Sequence, residues 1–552
     1  MSAVAAELGA PRSRGVSNAR SLVLLALLCL PALVPLLVVL TALLTPEVDI
    51  WAHLARYVLP AVATNTLVLV IGVSLGAAAL GTSLAWLTSI CEFPGRRVFE
   101  WALLLPLAMP GYVLAFIAVG FLDFTGPLQT WLRTLFGSSS WFPSIRSTGG
   151  VIVVLTLSLY PYVYLLARGA FLTQGRRAQE AARTLGMTPM RAFWRVVLPM
   201  ARPWIVAGTA LVAMETLADF GTVAVFNYDT FTTAIYRAWF GMFSINAALE
   251  LAAVLLLFVA IVLALERRSR ANLRFVTARD MSRQAPRIAL RGTRALVASC
   301  GAGLILLLGF VLPVAQLVVW AVSRAALDLD ARYFEFILHS VLLASFAAVI
   351  IAGASLLVAY LERHHGSMPV KALVRIATMG YAVPGTVLAV GILVPIIGLN
   401  NLLQHWLSSW FGDAAPSLLL QGTLATVLLA YVARFMAVGF NPIESGLNRI
   451  TTTIDEAAIS LGVAGRALLR RVHVPLLRTS LISAAILVFV DVMKEMPITL
   501  IARPFGWDTL AVRVFEMTSE GEWDRAALPA IAIVLVGLIP AAMLTRGDEH
   551  VA

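Results

Sequence analysis

The chain has 552 residues, of which 60% are apolar and only 13% charged, with a formal net charge of +11. A soluble domain carries about 25% charged residues. Here the apolar excess runs the whole length, which excludes both a soluble enzyme and a globular domain on a single anchor. The basic balance of so apolar a chain reports membrane topology rather than nucleic-acid binding.

A membrane-crossing helix needs about 20 apolar residues. Runs of that kind fall, in chain order, at 22–44, 66–90, 99–122, 149–171, 204–226, 246–265, 296–322, 339–360, 373–398, 419–440, 479–501 and 526–544. The expected fold is an all-α polytopic membrane protein with about twelve transmembrane helices. The first run follows Arg12, Arg14 and Arg20 but is too long for the apolar part of a signal peptide, so it reads as an uncleaved first helix. With the N-terminus inside and the helices alternating, Lys and Arg are about threefold more numerous on the inner side, which places both termini in the cytoplasm.

The chain then divides into a cytoplasmic segment 1–20, a first six-helix domain 21–265, a basic cytoplasmic linker 266–294, a second six-helix domain 295–545 and a cytoplasmic tail 546–552. The two domains are repeats. AMPGYVLA at 108–115 matches AVPGTVLA at 382–389, and EAARTLGMTPMRAFWRVVLP at 180–199 matches EAAISLGVAGRALLRRVHVP at 456–475. Six helices per copy is an even number, so the copies run parallel, as in transporters built from two bundles. Pro110-Gly111 and Pro384-Gly385 lie inside expected spans, where kinks are expected.

The inner loop 176–203 recurs as 449–478. Glu180, Ala181, Ala182, Gly186 and Pro199 in the first copy correspond to Glu456, Ala457, Ala458, Gly462 and Pro475 in the second. The pattern predicts a short helix, a stop at a glycine of positive φ, and a second short helix. Thr188-Pro189 predicts an N-cap and first-turn pair for that second helix. Thr453 with Glu456 predicts a capping box at the start of the second copy.

These loops resemble the EAA loop of permeases from binding-protein-dependent ABC importers. In that family the loop is the helix that docks on a cytoplasmic ATPase, so the resemblance gives these ten residues the role of ATPase coupling. The fold it implies is type I ABC importer-like, with both permease halves fused on one chain. The stretches 219–240 and 493–517 are similar to ferric-iron importer permeases, and the second also to thiamine importer permeases. Ferric iron delivered by a periplasmic binding protein is the leading cargo. Thiamine, organophosphonate and polyamine remain alternatives, and a secondary transporter of two six-helix halves is the rival class. The partners implied are two copies of the ATPase, the binding protein and the bilayer of a bacterial inner membrane, with no nucleic acid.

No nucleophile–base pair or metal-ligand cluster stands out, and the three cysteines are far apart. The only lysines, Lys371 and Lys494, do not follow glycine, so there is no phosphate-binding Gly-Lys-Ser/Thr sequence. The chain is therefore expected to have no catalytic site, metal or cofactor of its own; ATP and Mg belong to the partner ATPase. Glu215 and Asp219, four apart on one predicted helix, recur as Asp491 and Glu495, with Lys494 beside the latter. Charges at membrane depth cost from ~2.5 kcal/mol upward and normally face a bundle interior or a water path. These five residues are candidates for the translocation path, or else ion pairs and caps of broken helices. Asp229, Tyr236, Arg237, Arg503, Asp508 and Arg513 fall on outer loops, either as docking points for a binding protein or as ordinary solvated residues.

Overall fold

The computed structural model describes residues 14–44, 46, 48–270, 287–411 and 420–549. The terminal segments 1–13 and 550–552 and most of the expected linker, 271–286, lie outside the described residues. What is described is almost entirely helical, as it must be where no water can satisfy a bare backbone amide or carbonyl. One short parallel strand pair, Cys91–Glu92 with Ile288–Ala289, is in register Cys91 to Ile288.

Ten helices among the described residues are long and apolar enough to cross a membrane, from Leu22–Thr41 to Leu424–Arg449. An eleventh span is bent by 77° between Arg466–Leu476 and Arg478–Lys494, and a shorter apolar helix covers Ala527–Pro540. Each of the twelve apolar runs thus has a helical counterpart, but the third and ninth begin late. The expected spans 99–122 and 373–398 are not kinked helices. Arg96–Ala102 ends in a 3₁₀ turn at Leu105–Ala108, and Met368–Thr378 ends in another at Met379–Ala382. New helices then start at Gly111 and Gly385. Met109 and Val383, the residues before proline, are extended, the conformation that proline imposes on its predecessor. The Pro-Gly pairs are clean breaks.

The fifth and eleventh expected spans, 204–226 and 479–501, also break. Leu198–Ala218 and Arg478–Lys494 stop at the acidic residues, and short helices Gly221–Val225 and Pro497–Ala502 follow.

Contacts group the chain into two units, each discontinuous in sequence: Met1–Val38 with Leu342–Val383 and Gly391–Val492, and Val39–Val341 with Pro384–Val390 and Met493–Ala552. The larger unit is centred on three mutually packed helices, Leu59–Ile90, Thr148–Ala170 and Leu198–Ala218. Glycines let these backbones approach closely, the usual device where lipid gives apolar helices no hydrophobic reason to associate. A Cβ added at Gly81 would lie 2.8 Å from the Tyr160 carbonyl oxygen, and one at Gly208 would lie 2.8 Å from the Val163 Cα. In the smaller unit, a Cβ at Gly439 would meet the Ser355 hydroxyl at 2.7 Å.

Overpacking of this kind costs about 1–3 kcal/mol. Gly81→Ala and Gly208→Ala are therefore expected to lower the melting temperature of the detergent-solubilised protein by several degrees. Gly169→Ala, on the same bundle but with nothing within 4 Å, is expected to be neutral or stabilising. Equal melting temperatures for all three would contradict the close packing.

Candidate functional site

The two Glu-Ala-Ala loops fold alike. Each begins with a nine-residue helix, Arg176–Thr184 and Thr452–Ser460. Each helix ends at a leucine followed by a left-handed glycine, Gly186 at φ +80° and Gly462 at φ +79°. The closing bonds are the same pair in both. Gly186 N donates to Arg183 O at 2.9 Å and Met187 N to Ala182 O at 3.0 Å. Gly462 N donates to Ile459 O at 3.0 Å and Val463 N to Ala458 O at 2.9 Å. This is a Schellman end, which satisfies the last carbonyls and needs a residue tolerant of positive φ at the glycine position.

The burial pattern also repeats. Ala182 and Ala458 are buried, whereas Glu180, Ala181, Gly186 and Pro199, and likewise Glu456, Ala457, Gly462 and Pro475, are exposed. Among the described residues, no atom lies within 4 Å of a Cβ placed at Gly186 or Gly462. Beside each glycine an apolar side chain stands in the open: Leu185 is 79% and Leu461 82% exposed. Each loop therefore presents a small helix with an acidic residue, a bare glycine and an uncovered leucine.

The second short helices differ. In the first copy Thr188 caps Pro189–Ala192 by accepting from Arg191 N, as the sequence predicts. The second copy starts instead at Gly465, φ +58°, with Arg466–Leu468. The Thr453–Glu456 capping box does not form at the helix start. Helix Thr452–Ser460 has Thr451 at its N-cap, without a side-chain bond. Three consecutive threonines let the start slip two residues earlier.

The loops are also anchored differently. Gln179, buried in the first, donates through Nε2 to Pro189 O at 3.1 Å. The rings of Trp86 and Phe193 lie 5.1 Å apart, with Phe171 6.5 Å from Phe193. In the second loop, Arg363 Nη2 and His473 Nε2 both reach the Asp455 carboxylate, at 2.8 and 2.7 Å. Burial works against the Asp455 charge, but the hydrogen bonds from His473 and Arg363 outweigh it and hold the carboxyl below the usual carboxylate range. Arg363, Asp455 and His473 are separated by 92 and 18 positions, and only the adjacency of Asp455 to Glu456 marks any of them in the sequence.

The intramembrane charges resolve into caps. Each helix ends one residue before the second acid of its pair, at Ala218 before Asp219 and at Lys494 before Glu495. Asp219 Oδ1 accepts from Val223 N at 3.1 Å, and its Oδ2 accepts from the Thr222 hydroxyl at 2.8 Å. Glu495 Oε1 accepts from Ile498 N at 2.8 Å, and its Oε2 from Thr499 N at 3.1 Å and the Thr499 hydroxyl at 2.9 Å. Each carboxylate thus serves the first turn of the short helix behind its break. Lys494 Nζ donates to the Leu107 carbonyl at 3.2 Å, in the 3₁₀ turn before Pro110. Glu215 and Asp491 lie one turn earlier on the helices, both half-buried.

Within the larger unit the broken segments meet. A Cβ at Gly111 would lie 2.9 Å from the Thr222 hydroxyl, and one at Gly221 would lie 2.6 Å from Tyr112 Cβ and 2.8 Å from Met496 Cε. The rings of Phe220 and Phe515 are 5.4 Å apart, so the stretches 219–240 and 493–517 are neighbours. The outer-loop charges pair locally: Arg237 with Asp229 at 2.5 Å, Arg503 with Asp508 and with Glu516 at 2.7 Å, and Arg513 with Glu516 at 3.1 Å.

Residues 77–270 match the family model described as "Binding-protein-dependent transport system inner membrane component". The chain is similar to an Fe(3+)-transport system permease protein of Haemophilus influenzae, 26% identical over 94% of this chain and 96% of that protein. A ferric transport system permease protein of Actinobacillus pleuropneumoniae is 23% identical over 78% of this chain and 63% of its own length. A probable molybdenum ABC transporter permease protein of Haloferax volcanii is 31% identical over 35% of this chain and 69% of that protein.

The depressed Asp455 carboxyl fixes the sign of a pH effect. Its contribution to stability is present above the usual carboxylate pKa of about 3.9 and is lost as pH falls through the lower folded value. Asp455→Asn is therefore expected to melt below the parent at pH 7, with the gap closing as the pH is taken down through and below the usual carboxylate range. A gap independent of pH would contradict the ionic anchorage.

Proposed function

Because this chain belongs to the family of binding-protein-dependent transport system inner membrane components, we propose that it is the membrane-spanning subunit of an ATP-driven importer of ferric iron. Two copies of a cytoplasmic ABC ATPase bind it, one on each Glu-Ala-Ala loop, and a periplasmic binding protein delivers the cargo. The protein sits in a bacterial inner membrane with both termini in the cytoplasm. The observation that carries this reading is the repetition of the loop geometry. Two helices of equal length end in the same left-handed glycine and leave the same leucine uncovered.

An uncovered leucine beside an open glycine suits a partner that packs onto the helix end. Burying one such side chain contributes roughly 1.5–3 kcal/mol. Glu180 and Glu456 remain exposed for polar contact with that partner. ATP and Mg are bound by the ATPase, since this chain has no phosphate-binding Gly-Lys-Ser/Thr sequence. Closure of the two ATPases then moves both loops, and the membrane helices joined to them open the path.

Ferric iron follows from the likeness to the Haemophilus influenzae Fe(3+)-transport permease along nearly the whole chain. Asp219, Glu495 and Lys494 are engaged in holding broken helices, so the path offers the cargo weak polar contacts, and selectivity resides in the binding protein. Glu215 and Asp491 each stand one turn before a break.

The test is uptake of radiolabelled ferric iron into proteoliposomes holding the chain, its ATPase and its binding protein. Uptake is expected to need ATP and to fall at least tenfold in the Gly186→Arg, Gly462→Arg double variant. The new side chains would occupy the open docking face and sit at a φ that costs about 1–2 kcal/mol for a residue with a Cβ. ATP hydrolysis stimulated by the binding protein without iron uptake would overturn the cargo and turn the test to thiamine. Uptake indifferent to ATP would overturn the importer itself.

A further inference from the structure

The two loops present matching faces, yet they are tied to the membrane helices by different chemistry. In the second loop one guanidinium gathers three elements. Arg363, near the end of helix Ala331–His365, donates through Nη1 to Leu447 O and through Nη2 to Ile450 O at 2.8 Å, at the C-terminal end of helix Leu424–Arg449. Its Nε and Nη2 donate to Asp455 Oδ2 at 3.1 and 2.8 Å, in the helix Thr452–Ser460. The other carboxylate oxygen, Asp455 Oδ1, lies 2.7 Å from His473 Nε2. An ionised carboxylate only accepts, so Nε2 is the donor. His473 is fully buried, and among the described residues its Nδ1 has no hydrogen-bond partner, so the ring directs its Nε2 contact at Asp455. Tyr360, one turn before Arg363, closes the far side by donating to Gly465 O at 2.9 Å, with its ring 5.6 Å from that of His473.

At the register that aligns the loops, Gln179 occupies the place of Asp455 and Val197 the place of His473. In the first loop Gln179 donates to Pro189 O, and the Trp86, Phe171 and Phe193 rings pack beside it. Charge-assisted bonds are about twice as strong as neutral ones, and a forked guanidinium fixes direction as well as distance.

Resting on the importer reading above, we propose that Arg363, Asp455 and His473 are positioning residues that make the second loop move as one body with two membrane helices. The first loop carries Gln179 and Val197 at the aligned positions, so each stroke at the second loop passes to those helices through a residue set that the first loop does not share.

The test gives the second loop the first loop's residues, Asp455→Gln with His473→Val, in the full complex with ATPase and binding protein. Cargo moved per ATP hydrolysed is the readout, together with capture of the ATPase by the solubilised chain. Capture is expected to persist, because the docking face is untouched, while cargo per ATP falls at least threefold. His473→Gln, which keeps a donor toward Asp455, is expected to retain more than half of the parent ratio. If the double variant fails to fold, Arg363→Lys, which keeps the charge but loses the fork, is expected to show the same fall. An unchanged ratio, or equal loss in His473→Gln and the double variant, overturns the positioning role. Absence of ATP-linked transport in the parent complex overturns the importer reading instead, and the parent control separates the two failures.

Discussion

A bilayer offers no water to a broken helix, so every interruption of a span must satisfy its own backbone groups. Among the described residues, four interruptions show how this is done. Two are closed by proline, at Pro110 and Pro384, where the missing amide costs nothing at a helix start. Two are closed by acid, at Asp219 and Glu495, whose carboxylates take amide and hydroxyl hydrogens from the helix that resumes behind them. A carboxylate with two or three charge-assisted partners is a tolerable guest at membrane depth; without them it would not be. In the larger unit the first Pro-Gly break and both acid caps are packed on one another through Gly111, Gly221 and Lys494.

That arrangement bears on how a transporter of this kind discriminates. The charges that a sequence reader would assign to the path are mostly committed to architecture. The charges at 229–237 and 503–516 pair among themselves in the same way. Each Glu-Ala-Ala loop, in contrast, leaves an open glycine and an uncovered leucine at the end of its first helix.

Much of this was legible in the sequence. Apolar runs locate the spans, because composition alone decides what can enter lipid. The repeat at one register locates both Glu-Ala-Ala helices and their glycine stops, because a Schellman end is a local rule that a short segment obeys by itself. The breaks were harder to read. Pro110-Gly111 and Asp219 sit in unbroken apolar runs, and nothing in the run says that a helix ends there rather than bends. The Thr453–Glu456 box failed because Thr451 and Thr452 precede it and the start slipped to the earlier threonine. The Arg363–Asp455–His473 cluster was beyond reach, since its members come from separate elements and only the fold brings them to one point.

The central claim is that each Glu-Ala-Ala loop receives one ATPase subunit at the end of its first helix. Site-directed cross-linking tests it most directly, with Leu185→Cys or Leu461→Cys as the only accessible thiol. Cys29 and Cys91 are buried, and the exposed Cys300 would be replaced by serine. Either cysteine is expected to capture the ATPase when the binding protein and nucleotide are present, and the two together to capture two subunits per chain. Capture at neither position, or at only one with a single ATPase per chain, would contradict the account.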